Sequence, residues 1–300
     1  MTREDLRIGG PGARCAAWLY RPTNTEGRSA LCVIIGAGLA LTRNDGLEAY
    51  AERFAAAGAA VIVFDHRHMS PSERGPQRLG LRGQVDDWRS AIAYARAWGG
   101  LDPRRTVLWG YSLAAGPALK AAVNDRQIAA VLTISPFLDG LARIRRSPIR
   151  NTAWIVPRAV ADLIGLRTTI PATAPPGGHG AMVLPGEADG FARIVKNGSP
   201  WPNQVPAAAA VTTVAHRRQT LARHLHCPVW VGIGDNDRSV SETAAEQLAT
   251  RAPAGELHRY PFDHFDPLAG TAPKLVARDQ IKFLLEQGLL DGERPSSPLA

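Results

Sequence analysis

The sequence predicts an α/β fold: a mostly parallel central sheet with helices on both faces and a helical lid insertion. Three observations predict it. Apolar strand-like runs alternate with helix-patterned segments along the 300 residues, and such alternation builds a parallel sheet through crossover helices. One connection, between the apolar run that ends at 134 and the next that begins at 228, holds far more chain than a crossover needs. An apolar strand signal at 107–109 runs into small-x-Ser-x-small and then into a helix-forming stretch. The length suffices for one large domain with a substantial core.

The elements follow in order. Strand signals fall at about 14–20, 30–35, 60–65, 106–110, 128–134, 228–233 and 256–260. Helical stretches at 46–57, 84–98, 113–123, 241–250 and 273–286 carry apolar residues at three- and four-residue spacing. Residues 1–137 and 225–290 then form the core, 138–224 the lid, and 291–300 a flexible tail. Within the lid, 141–165 and 207–224 read as helical, separated by a Pro- and Gly-rich stretch at 171–178 that suits a loop.

The segment 107–116 is the most specific signal. Gly110 and Ala114 flank Ser112 at the two places where a sharp strand-to-helix turn brings backbone nearly into contact. Such a turn lifts a serine hydroxyl off the sheet edge, over the positive end of the following helix. By itself the pattern also fits an ordinary turn in an alanine-rich chain. A nucleophilic serine further requires an acid and a histidine, in that chain order, each just after its own strand. Both are present. The run at 228–234 breaks into Asp235-Asn236-Asp237; Asp237 is the better-placed acid, and Asp235 reads as a turn former and stands as the alternative. The strand near Tyr260 opens into a loop with His264, which reads as the general base. The run at 30–35 ends in Gly36-Ala37-Gly38-Leu39, so the amides of Leu39 and Leu113 are candidate donors to an oxyanion. A dinucleotide reading of that loop fails, because Leu41 stands where the third glycine belongs and polar residues follow. Tyr111, Trp154, Phe191 and Trp201 are candidates for lining an apolar substrate pocket, against the plainer reading that they pack lid on core.

Together these residues resemble the α/β-hydrolase superfamily, and within it bacterial proteins similar to dienelactone hydrolases and the X-prolyl acyl-peptidase catalytic domain. Residues 47–58 and 61–68 are similar to the family's first crossover helix and next strand, and Asp86-Asp87-Trp88 to the start of the following helix. The resemblance implies an α/β-hydrolase fold with Ser112, Asp237 and His264 as triad and Leu39 and Leu113 as oxyanion amides. The chain departs from the family where relatives carry His-Gly in the oxyanion loop, here Ala37-Gly38, and often Gly at Ala114.

Composition narrows the partners. The net charge is +8, but the basic residues are dispersed; only Arg143, Arg145, Arg146 and Arg150 cluster, without interleaved aromatics, so no nucleic-acid partner is expected. Cys15, Cys32 and Cys227 are odd in number and two of them lie in or beside strand signals, so no disulfide framework is implied. His66/His68 and His224/His226 lack companion carboxylates or thiols, so no metal is expected. Neither a signal segment nor a membrane-length apolar run is visible, which predicts a cytoplasmic protein with no membrane partner. The expectation is a cofactor-free serine hydrolase acting on a small hydrophobic ester, lactone or thioester. An acyltransferase or a biosynthetic cyclase or lyase on the same site, and a non-catalytic ligand binder on the same fold, are the alternatives. A homodimer is left open.

Overall fold

The computed structural model describes residues 2–9, 14–22, 30–67, 80–98, 101–195 and 203–291. Eight strands form one sheet: β1 (Thr2–Ile8), β2 (Cys15–Arg21), β3 (Ala30–Gly36), β4 (Ala60–Phe64), β5 (Leu101–Tyr111), β6 (Ile128–Ile134), β9 (Val229–Gly234) and β10 (Gly255–Tyr260). Their spatial order is β1-β2-β4-β3-β5-β6-β9-β10. β1 pairs antiparallel with β2 and β2 antiparallel with β4, and every later pairing is parallel.

The central strands are apolar along their whole length because both faces are covered. In β3, Leu31, Val33 and Ile35 join the core on one face, and Cys32 and Ile34 join the core on the other. The first core is closed by α1 (Glu48–Ala56) and α9 (Ala272–Glu286), through Tyr50, Phe54, Val276 and Phe283. The second is closed by α2 (Leu81–Ala97), α3 (Ala115–Val123) and α8 (Glu242–Arg251), through Trp88, Leu119 and Leu248. Cys15, Cys32 and Cys227 are buried and packed in the second core.

Three readings of local structure change. β1 carries no apolar alternation strong enough to stand out, because it is an edge strand: Arg21 of β2 holds Glu4 at 2.6 and 2.9 Å, and only Leu6 and Ile8 face the core. The stretch at 141–165 is not one helix. It divides into α4 (Gly140–Arg146) and α5 (Ile149–Ala161), because Ser147 and Pro148 take extended backbone that a helix cannot continue through. Beyond α5 the chain makes a wider turn over Asp162–Leu166 and reverses at Gly165, whose φ is +97°. The rest of the insertion holds the two-residue strands β7 (Thr169–Ile170) and β8 (Val205–Pro206), α6 (Glu187–Ile194) and α7 (Ala207–Thr212). The helical reading of 207–224 is likewise split, into α7 and a 3-10 segment Arg218–His224.

Candidate active site

Ser112 stands at the end of β5, where the strand turns at once into a helix. Its φ is +50°, a left-handed conformation that non-glycine residues rarely hold. The turn demands glycine at 110, since a Cβ there would lie 2.6 Å from the Cα of Ala115. It is anchored by the amide of Phe137, which donates to the carbonyl of Ser112 at 2.9 Å.

Three side chains from three strand ends meet in a line. The Oγ of Ser112 lies 3.1 Å from Nε2 of His264, and Nδ1 of His264 lies 2.8 Å from Oδ2 of Asp237. Burial pushes the Asp237 carboxyl up, but the charge and hydrogen bond of His264 and the amide of Ser239 outweigh it, so the group sits below the usual carboxylate range. An ionised Asp237 makes Nδ1 the protonated nitrogen and leaves Nε2 an acceptor toward Ser112. His264 is held from several sides: the Tyr111 hydroxyl donates to its carbonyl at 2.8 Å, and Asp263 caps the amides of Phe265 and Asp266. Asp235 does not reach this line; it faces Arg259 at 3.3 Å near the surface.

The line opens into a cleft of about 920 Å³ of empty space, partly open to solvent. Ser112, His264, Leu39 and Leu113 border it. The loop bearing Leu39 comes this close because residue 38 is glycine: a Cβ there would lie 2.9 Å from the Tyr111 ring and 3.2 Å from the Ser112 Cβ. Among the described residues the Leu39 amide donates to no backbone carbonyl outside regular elements, and Leu113 lies in the first helical turn, where amides lack intrahelical acceptors. The remaining wall is mostly apolar: Phe137, Ile144, Ile155, Val156, Met182, Val205 and Val211.

Three of the aromatic candidates lie away from the cleft wall. Tyr111 is fully buried beneath His264, with ring centroids 5.4 Å apart. Trp154 stacks on His179 at 4.9 Å and under the guanidinium of Arg158 at 3.7 Å. Phe191 packs edge-on to Phe265. None of the three borders the cleft, because each finds a full partner elsewhere. Trp201 lies outside the described residues, as do the tail beyond 291 and His68. Among the described residues no three His, Cys, Asp or Glu side chains come together in a metal-binding group.

A buried network missed by the sequence reading lies beside the acid. Glu187 of α6 accepts from both Nη atoms of Arg143 at 2.7 and 2.9 Å, from the Ser239 hydroxyl at 2.6 Å and from the Leu184 amide at 2.7 Å. The Ser239 amide in turn donates to Asp237 at 2.8 Å. The only trace in the sequence was the arginine cluster, whose partner lies 44 residues away.

No protein-family profile matches the chain. It is 34% identical over 287 residues, 93% of each chain, to the quorum-quenching protein AidA of Acinetobacter baumannii. A shorter match, 29% identical over 39% of this chain and 37% of the other, is to the thiohydrolase aneE of Aspergillus aculeatus. The solved α/β hydrolase GrgF from Penicillium sp. sh18 superposes with a TM-score of 0.78 over 96% of this chain and 99% of that one; at 17% identity the likeness is one of fold. With a relative this similar along nearly the whole chain, and with the sheet order just described, the chain belongs to the α/β-hydrolase superfamily.

Proposed function

We propose that the protein is a serine acyl hydrolase that cleaves a carboxylic ester, lactone or thioester with a hydrophobic acyl part. The observation that carries this reading is the hydrogen-bonded line Ser112–His264–Asp237 at the base of an apolar cleft. Ser112 Oγ attacks the acyl carbon while His264 Nε2 takes its proton, and Asp237 keeps the imidazole oriented and stabilises the imidazolium. The amides of Leu39 and Leu113 face the developing oxyanion, each such donor being worth about 3 kcal/mol of the barrier. His264 returns the proton to the leaving alcohol or thiol as the intermediate collapses. Water, deprotonated by the same nitrogen, then releases the acid and regenerates Ser112.

The cleft wall supports a hydrophobic acyl group, since Ile144, Ile155, Val156, Met182 and Val205 offer no fixed charge to it. Its one guanidinium, Arg143, is already bound by Glu187. We take 138–224 as a lid because α4, α5 and α7 supply much of this wall. The thiohydrolase name of one relative is in keeping with thioesters among the substrates.

The test is turnover of p-nitrophenyl esters of increasing acyl length. Saturable hydrolysis that rises from acetate toward medium chains, and is lost in Ser112→Ala, is expected; wild-type rates in Ser112→Ala contradict the reading.

A further inference from the structure

Every large hydrophobic side chain that stands exposed among the described residues lies in one stretch: Ile149, Val156, Val160, Leu163, Ile164 and Leu166. Ile149 is 88% exposed, Ile164 73% and Leu166 67%. The inner face of α5 is apolar as well, with Ile155 and Ala159 buried against the core cluster. A surface helix ordinarily turns polar residues outward, and one that is apolar on both faces belongs against a second apolar medium.

Charge says what that medium is. From Gly140 to Arg167 the chain has six arginines and a single acid, Asp162. The Asp162 carboxylate is occupied by the Ala208 amide at 2.9 Å. Arg145, Arg150 and Arg167 are exposed and pair with no carboxylate among the described residues. Exposed Ile and Leu ringed by unpaired arginines is the composition that settles in the head-group region of an anionic bilayer. A two-fold contact between copies would instead set this cationic rim against itself. No helix among the described residues is long and apolar enough to cross a membrane, so the contact is peripheral.

The face adjoins the active cleft. A groove bordered by Ile144, Ile149, Thr152 and Val156 shares Ile144, Thr152 and Val156 with the wall of the cleft that holds Ser112. We infer that the outer side of α5 and the turn after it docks on an anionic lipid surface, with the apolar side chains in the interface and Arg145, Arg150 and Arg167 at the head groups. An apolar molecule dissolved in the lipid then has a continuous apolar path to the cleft.

Sedimentation of the full chain with vesicles tests this. Wild type and Ser112→Ala are expected to bind vesicles of phosphatidylglycerol and phosphatidylcholine equally well, to ignore phosphatidylcholine alone, and to lose binding as salt is raised. Ile149→Ser/Ile164→Ser/Leu166→Ser should bind about tenfold more weakly or worse with an unchanged melting temperature, since all three side chains are already in water. Arg145→Gln/Arg150→Gln/Arg167→Gln should do the same. Indifference of wild type to anionic vesicles, or equal binding by Ile149→Ser/Ile164→Ser/Leu166→Ser, overturns the inference. So does a wild-type dimer that Ile149→Ser/Ile164→Ser/Leu166→Ser converts to monomer, which would assign the face to a second copy. Retention of vesicle binding in Ser112→Ala keeps the outcome separate from that of the proposed reaction.

Discussion

A single backbone angle organises the site. The left-handed turn at Ser112 costs about 1–3 kcal/mol, and it persists because Gly110 admits the returning helix and Phe137 anchors the carbonyl. The need for small residues at 110 and 114 made this turn legible in sequence. The carboxylate that faces His264 was legible only in part: Asp235 and Asp237 lie on the same strand end, and what separates them is that Asp235 turns outward to Arg259 while Asp237 turns back to His264. Asp237→Asn should therefore reduce kcat by three to four orders of magnitude, roughly what loss of a triad carboxylate costs. Asp235→Asn, which breaks a surface pair worth at most about 1 kcal/mol, should change it less than about threefold. Steady-state kinetics of the two variants decides, and the reverse ranking would move the acid. The aromatics of the insertion were not legible, because a tryptophan or phenylalanine signals only that it needs burial. Trp154 and Phe191 meet that need against His179 and Phe265.

At the scale of elements, period and small-residue spacing located the core strands and helices to within a few residues, since each is buried on a fixed face. β1 escaped notice because its charged residues are partnered across the edge by β2 rather than arranged for a core. The division of α4 from α5 is traceable to Pro148, whose ring bars the preceding residue from helical backbone. The link from α4 and α6 to the acid was beyond sequence reading, for a buried ion pair between residues 143 and 187 leaves no periodic mark. That link makes a prediction of its own. Glu187→Ala strands a buried guanidinium and the Ser239 hydroxyl, so denaturant unfolding should show a loss of about 3–5 kcal/mol. Turnover should fall through kcat more than through KM, because the loop holding Asp237 loosens while the apolar wall remains. Unchanged stability would show that the pair carries no net weight.

At the scale of the molecule, the two cores on opposite faces of the sheet explain why an alternating sequence yields this architecture. Buried side chains of the insertion, Ile155, Ile170, Met182 and Val205 among them, continue the same apolar cluster as Trp109 and Tyr111. Residues 138–224 and the sheet thus share one apolar core. The whole molecule also carries a strained charge: burial lifts the Asp65 carboxyl from 3.8 to about 6, even with Arg43 beside it. In the unfolded chain the group is ionised above its ordinary value while in the folded chain it stays protonated until about pH 6, so stability falls as pH rises through that window. Asp65→Asn has no such proton to lose. Between pH 4 and pH 6.5 wild type should lose about 2 kcal/mol relative to that variant in urea melts, and parallel pH profiles would refute the assignment.

The most direct test of the central claim is the intact mass of the protein after exposure to a fluorophosphonate, for wild type and Ser112→Ala side by side. A nucleophilic Ser112 activated by His264 predicts stoichiometric addition of one phosphonyl group to wild type and none to Ser112→Ala. An unmodified wild type, or equal labelling of both proteins, would contradict the account and leave the cleft as a site that binds without acylation.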